Sequence, residues 1–317
     1  MVWRDRLLVE ELLILYTELR INIKGMKKLL FPLLAVCLFL TAQAQAPWGP
    51  RSKVVTDTIY SEILKADRAY TIYLPKSYEV DKTRSYPVLY LLHGVMGINT
   101  SWFTDQRAGE VADLLMASGE ACEMIIVSPN AGGNPYKGDW NGYFNMPGWA
   151  YEDFFYKEFL PHIEKTYRVK ADKQHRAIAG LSMGGGGTTS YAQRHPDMYC
   201  AAYAISALMD IPEVGAMPSQ NPDDKMAILT KSVQEHSCIK YVQNADEATK
   251  EQIRSVKWYV DCGDDDFLLD RNIEFFHAMR QAQIPLEFRV RDGGHVNEYW
   301  HSALYTCLPF VSRCFGK

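Results

Sequence analysis

The chain has 317 residues, 47% of them hydrophobic, and a formal net charge of −4 at pH 7. That much apolar sequence can bury one large core, and α/β folds of this size form a single domain. A mildly acidic chain has no electrostatic footprint for nucleic acid, and no Cys-x-x-Cys or His-rich spacing offers ligands to a metal, so no nucleic-acid partner, metal or cofactor is expected.

The N-terminal region reads as targeting sequence. Met26-Lys27-Lys28 is a basic start, Leu29 to Leu40 is an apolar run, and Thr41-Ala42-Gln43-Ala44-Gln45-Ala46 supplies small residues in an Ala-x-Ala arrangement. This is the pattern of a signal peptide over 26–46, cleaved after Ala44 or Ala46. The run is shorter than the roughly 20 apolar residues of a membrane span, so no stable anchor is expected. Val36 is too large to precede a lipidated Cys37. Residues 1–25 read as an upstream extension, with Met26 as the true start. The expected product is a secreted or periplasmic catalytic domain over 47–317. Removing the six basic and four acidic residues of 1–46 from totals of 34 and 38 brings the net charge to −6. Cys122, Cys200, Cys238, Cys262, Cys307 and Cys314 remain. Export permits disulfides, but their pairing is open.

In chain order the predicted strands are Lys53–Ser61, Arg68–Leu74, Val88–Leu92, Met124–Ser128, Arg176–Ala179, Ala201–Ile205, Lys257–Asp261 and Glu287–Arg291, the first two forming an antiparallel hairpin. Predicted helices are Glu110–Ala117, Tyr151–Thr166, the segment after Ser182, and Asp270–Ala282, each with apolar residues three and four apart. Alternation of this kind gives an α/β fold with a mostly parallel central sheet of about eight strands flanked by helices. The stretch from Asp210 to Arg254, rich in Pro, Gln, Asn and charge, is too long for an ordinary connection. It is expected to be an insertion over the sheet's carboxyl edge, covering the active site.

Gly180-Leu181-Ser182-Met183-Gly184 follows one predicted strand and opens a Gly-rich helix. A Gly-x-Ser-x-Gly sequence in that setting is a nucleophile elbow, with the serine on a sharp turn above the sheet. The serine hydroxyl needs a base, and the base needs an orienting carboxylate. Downstream lie Gly263-Asp264-Asp265-Asp266-Phe267 after a strand and Gly293-Gly294-His295 after the last strand, in the order Ser, Asp, His. His295 is the candidate base. His162, His277, His195 and His236 read as structural, while His301 could line the pocket. The choice among Asp264, Asp265 and Asp266 stays open on these grounds.

Tyr73-Leu74-Pro75, Tyr86-Pro87-Val88-Leu89-Tyr90-Leu91-Leu92-His93-Gly94, the elbow with Gly185, Asp261-Cys262-Gly263 with Asp266, and Gly293-Gly294-His295 give the chain its resemblance to a family. From about Val54 to Phe310 it resembles the esterase D-like, carbohydrate esterase family one group of α/β-hydrolases, which includes feruloyl and acetyl xylan esterases. The resemblance implies an α/β-hydrolase fold and places the acid at Asp266, with Asp264 as second choice. It also implies an oxyanion hole from the backbone N–H groups of Val95 and Met183, with His93 shaping the loop. Phe267 is then expected to pack inward and hold the acid's loop.

The loop Asn134 to Phe144 carries Trp140 and Tyr143 among turn formers and is expected to wall a substrate pocket, with Trp102, Phe103 and Trp300 as further wall candidates. The implied activity is that of a secreted serine carboxylesterase acting through an acyl-Ser182 intermediate on acetyl or feruloyl esters of plant polysaccharides. Export argues against the related S-formylglutathione hydrolases, whose substrate is a cytosolic thiol adduct. Related mycolyltransferases leave an acyltransferase to a sugar as an alternative. A non-catalytic carbohydrate-binding protein would have no need of Ser, Asp and His in this order.

Overall fold

A computed structural model describes residues 51–212, 221 and 223–316; the expected signal peptide and upstream extension lie outside the described residues. The chain opens with β1 (Lys53–Ser61) and β2 (Ala66–Leu74), antiparallel, Lys53 lying opposite Leu74. Then come β3 (Val88–Leu92), α1 (Ser101–Thr104), α2 (Ala108–Ser118), β4 (Ile125–Pro129) and a two-residue hairpin of β5 (Asn145–Met146) and β6 (Trp149–Ala150). Next, α3 (Tyr151–Phe154) passes through a π turn (Phe155–Phe159) into α4 (Leu160–Thr166), where a single helix was expected. The remainder is β7 (Arg176–Leu181), α5 (Met183–Arg194), β8 (Ala201–Ile205), α6 (Lys225–Glu235), α7 (Cys238–Asn244), α8 (Glu247–Arg254), β9 (Lys257–Gly263), α9 (Leu269–Gln281), β10 (Glu287–Arg291) and α10 (Asn297–Cys314).

Eight strands form one sheet in the order β1-β2-β4-β3-β7-β8-β9-β10, antiparallel as far as the β2–β4 pair and parallel thereafter. Every residue of β3, β4, β7 and β8 is buried, which is why these strands are continuous apolar runs. Alternation decides which side of the sheet each residue serves. Tyr90 and Leu92 join the core with Phe155, Ile178 and Phe275, whereas Leu89 and Leu91 join the one with Ala179, Tyr203 and Leu304.

The 18-residue α10 was not anticipated; it carries Pro309 inside it, where a proline removes a helical hydrogen bond. Burial of Leu304, Leu308 and Val311 against the sheet outweighs the hydrogen bond that Pro309 removes. The Asp210–Arg254 stretch carries three short helices, started by the side-chain caps Asp224, Ser237 and Asp246. No helix among the described residues is long and apolar enough to cross a membrane.

Candidate active site

Ser182 links β7 to α5 with φ 54° and ψ −120°, a left-handed conformation that costs a non-glycine residue of order 1–3 kcal/mol. Its neighbours hold it there. Ser182 N–H donates to the Ile205 carbonyl at 2.9 Å, and its own carbonyl accepts from Leu208 N–H at 2.9 Å. The two elbow glycines are required by close approach. A Cβ on Gly180 would lie 2.3 Å from the Gly184 carbonyl oxygen, and one on Gly184 would lie 2.2 Å from that of Leu92.

Ser182, His295 and Asp266 come together from the carboxyl ends of β7, β10 and β9. His295 Nε2 lies 3.0 Å from Ser182 Oγ, and His295 Nδ1 lies 2.9 and 3.1 Å from the two Asp266 carboxylate oxygens. With Nδ1–H donating to the carboxylate, the neutral ring presents Nε2 as an acceptor to the serine hydroxyl. Asp266 is buried, which works against its charge. The bonds from His295 and from Leu268 N–H (2.9 Å) outweigh that penalty and hold its carboxyl below the ordinary aspartate range. Asp264 and Asp265 are exposed, and Asp264 instead accepts the Gly293 amide at 3.0 Å. These two and Asp292 bring exposed carboxylate oxygens within 4.8 Å of one another. The strand beneath His295 is secured by Asp261, a buried carboxylate of the Asp261-Cys262-Gly263 motif for which the sequence suggested no role of its own. It accepts from Tyr203 at 2.8 Å, Tyr299 at 2.6 Å and the Arg289 guanidinium.

Phe267 contradicts its expectation. It is 76% exposed, with its ring centroid 4.6 Å from that of His295, so it flanks the imidazole from the solvent side. Trp300 meets the same imidazole edge-on at 4.9 Å.

The loop after β3 bounds the cavity opposite His295. Met183, the first residue of α5, has one of the amides that a helix leaves without an internal partner, and Val95 lines the cavity beside Ser182, a lining that does not include Met183. His93 shapes this loop: Nδ1–H donates to the Gly94 carbonyl at 2.8 Å and Nε2 accepts from Ala131 N–H at 2.9 Å. Complete burial pushes its pKa down to about 4, so the ring is neutral. Tyr143 is buried and donates to the His93 carbonyl at 2.9 Å. It supports the loop from behind and does not wall a pocket, contrary to expectation.

A cavity of about 290 Å³ opens beside Ser182, lined by the His93–Gly97 loop, Ser101, Asp105, Gln106, Leu181, His295, Asn297 and Trp300. Of the five aromatic wall candidates, only Trp300 lies here. Trp102 is fully buried in the core, where its bulk fills space beneath α1, and Phe103 packs against the same cluster. Trp140 stacks on Trp149 (centroids 6.1 Å, 12° between planes) and carries Lys225 Nζ 3.6 Å over its ring, tying the Trp140 loop to α6. No described residue of the Asp210–Arg254 stretch lines the cavity, so the expected cover is not among them. Gln106 and Asn297 were missed. They join across the cavity wall by a 2.8 Å bond, a contact 191 residues apart in sequence that no local pattern signals. His301 lies outside the cavity, donating from Nδ1 to the Gln106 carbonyl at 2.7 Å. His195 faces Glu152, His236 stacks on Phe144 and His162 meets the Tyr70 hydroxyl, all as structural groups.

A mostly parallel sheet carrying a strained serine at the carboxyl end of a central strand, with histidine and aspartate loops converging on it from two later strands, defines an α/β-hydrolase. A solved ferulic acid esterase is 66% identical, with a TM-score of 0.81 over 84% of this chain and 99% of that one. The chain belongs to the Esterase family, whose sequence model matches residues 61–311, and it is a carboxylic-ester hydrolase. A Xylanibacter ruminicola protein named endo-1,4-beta-xylanase/feruloyl esterase is 37% identical over 145 residues, covering 45% of this chain and 20% of that protein. The chain thus matches about a fifth of that relative's length. An acetyl esterase of Caldicellulosiruptor saccharolyticus is 22% identical over 285 residues, 80% of this chain and 96% of that one.

Proposed function

We propose that the chain is a secreted serine esterase that removes feruloyl groups, and secondarily acetyl groups, from plant polysaccharides through an acyl-Ser182 intermediate. The observation that carries this reading is the 3.0 Å contact of His295 Nε2 with Ser182 Oγ, backed by the Nδ1 contact with Asp266. His295 takes the serine proton as Oγ bonds to the ester carbonyl carbon, and the N–H groups of Val95 and Met183 receive the developing oxyanion. One such donor is worth roughly 3 kcal/mol in kcat. His295 then protonates the departing alcohol. In the second half it takes a proton from the water that attacks the acyl carbon, and returns that proton to Ser182 Oγ as the Oγ–acyl bond breaks and the acid leaves.

The feruloyl preference draws on the 66% identical ferulic acid esterase and the Xylanibacter ruminicola relative, and the acetyl option on the Caldicellulosiruptor saccharolyticus protein. Export rests on the basic, apolar and Ala-x-Ala series of 26–46. The test compares methyl ferulate, p-nitrophenyl acetate and acetylated xylan with protein beginning near Gln45, alongside fluorophosphonate labelling. Ferulate release that depends on a labelled Ser182 is expected. Labelling without turnover of any ester would overturn the assignment, and N-terminal sequencing of exported protein checks the cleavage site.

A further inference from the structure

Behind the nucleophile runs the segment Ser206-Ala207-Leu208, which follows β8. Ser182 is bonded at its amide to Ile205 and at its carbonyl to Leu208, so this segment sets where the nucleophile's backbone lies. Helix α5 presses against it. A Cβ on Gly185 would come 2.7 Å from Ala207 Cβ, and one on Gly186 would come 2.2 Å from the Leu208 carbonyl oxygen. The segment is itself strained, since Ser206 adopts φ 45° without being glycine. A conformation of that kind persists only where its surroundings over-determine it.

Two contacts supply the constraint. Ser206 N–H donates to the Asp261 carbonyl at 2.8 Å. Asn272, fully buried on α9, grips Ala207 by both of its backbone polar groups: Ala207 N–H donates to Oδ1 at 3.3 Å, and Nδ2 donates to the Ala207 carbonyl at 2.9 Å. The second Nδ2 hydrogen goes to the Leu268 carbonyl at 2.8 Å. Leu268 is the residue whose N–H donates to Asp266 Oδ1. One side chain therefore joins the segment that holds Ser182 to the turn that holds Asp266. An asparagine amide supplies the acceptor and both donors this bridge uses; aspartate at the same length keeps the acceptor and loses both donors.

Resting on the serine-esterase reading above, we infer that Asn272 is a positioning residue that fixes the spacing between the Ser182 elbow and the Asp266 turn, and thereby the alignment of His295 on Ser182 Oγ. A residue that merely satisfies buried backbone would lower stability, with the same fractional effect on turnover whether or not Asp266 can act. A residue that works through Asp266 loses its effect on turnover once Asp266 is disabled.

The test is a double-mutant cycle on kcat for p-nitrophenyl acetate, with thermal unfolding recorded for each variant. Asn272→Ala is expected to lower kcat about 10- to 100-fold with KM within about twofold, as a misplacement of order 1 Å would do, and to lower it less than about threefold in an Asp266→Asn background. Equal fold losses in both backgrounds, or an unchanged kcat in folded Asn272→Ala, would overturn the inference. If Asn272→Ala does not fold, Asn272→Asp decides through the same cycle, since it keeps the size and the Oδ1 acceptor while removing both donations. Failure of the underlying reading is visible separately, as full ester hydrolysis by Ser182→Ala whatever happens at Asn272.

Discussion

The two sides of the relay are held by different kinds of contact. On the nucleophile side, backbone meets backbone: Ser182 is bonded to Ile205 and Leu208, and the elbow glycines face carbonyl oxygens at distances that exclude a Cβ. On the acid–base side, side chains do the holding. His295 stands between an exposed Phe267 and an edge-on Trp300, with its Nδ1 on the Asp266 carboxylate. Backbone contacts leave no slack, because neither partner has a rotamer to change. A side-chain enclosure yields by degrees, so lesions on the two sides should differ in character as well as in size.

The largest expected effect is at the nucleophile itself. Ser182→Ala should lower kcat by on the order of 10⁵ to 10⁶ and abolish fluorophosphonate labelling. Asp266→Asn should cost on the order of 10⁴ in kcat while Asp264→Asn stays within about threefold, measured by steady-state kinetics on methyl ferulate. The opposite ranking would move the acid to the exposed turn. Gly184→Ala places a Cβ against the Leu92 carbonyl and should destabilise the fold by about 3 kcal/mol or more in urea titrations, with loss of activity. A well-folded, active Gly184→Ala would show the elbow to be as yielding as the opposite side.

His93 tests the wall between the two sides. Its buried ring has a folded-state pKa near 4, against about 6.5 in the unfolded chain, so the unfolded state binds the extra proton between those values. The contribution is complete above pH 6.5 and is lost as pH falls toward 4, about 3 kcal/mol in all. His93→Gln retains an acceptor for the Ala131 amide without titrating there, and its stability should fall less over that window. Parallel pH slopes for the two proteins would refute the assignment. The smallest effect belongs to Phe267→Ala, expected to change kcat/KM for p-nitrophenyl acetate by no more than about threefold because the ring is mostly in solvent. A hundredfold loss would mean that the histidine side is as rigidly built as the elbow.

Local patterns in the sequence carried most of the fold. Continuous apolar runs marked the central strands to within a few residues, and Gly-x-Ser-x-Gly between a strand and a helix marked the strained turn at Ser182, because that turn depends on adjacent residues. Legibility fails where contacts join distant segments. The Gln106–Asn297 bond, the Asp261 cluster and the Asn272 bridge are assembled by strand order, which no window of sequence contains. Aromatic residues misled for a related reason. Trp102 and Tyr143 looked like pocket walls, yet both are buried supports, whereas Phe267, expected inside, is exposed. The last helix runs through Pro309 because tertiary burial overrides the local cost of a proline.

Helix α5 begins with Met183 and then four consecutive glycines, Gly184 to Gly187. At roughly 1 kcal/mol per glycine relative to alanine, that opening turn is disfavoured by on the order of 4 kcal/mol as an isolated helix. It exists because β3, the 207–208 segment and Tyr143 close around it, as the space left to each glycine shows. The turn that strains Ser182 is therefore held by tertiary closure and not by its own helix propensity. Without that closure Ser182 has no strained turn to stand on, so the role proposed for it depends on the completed fold.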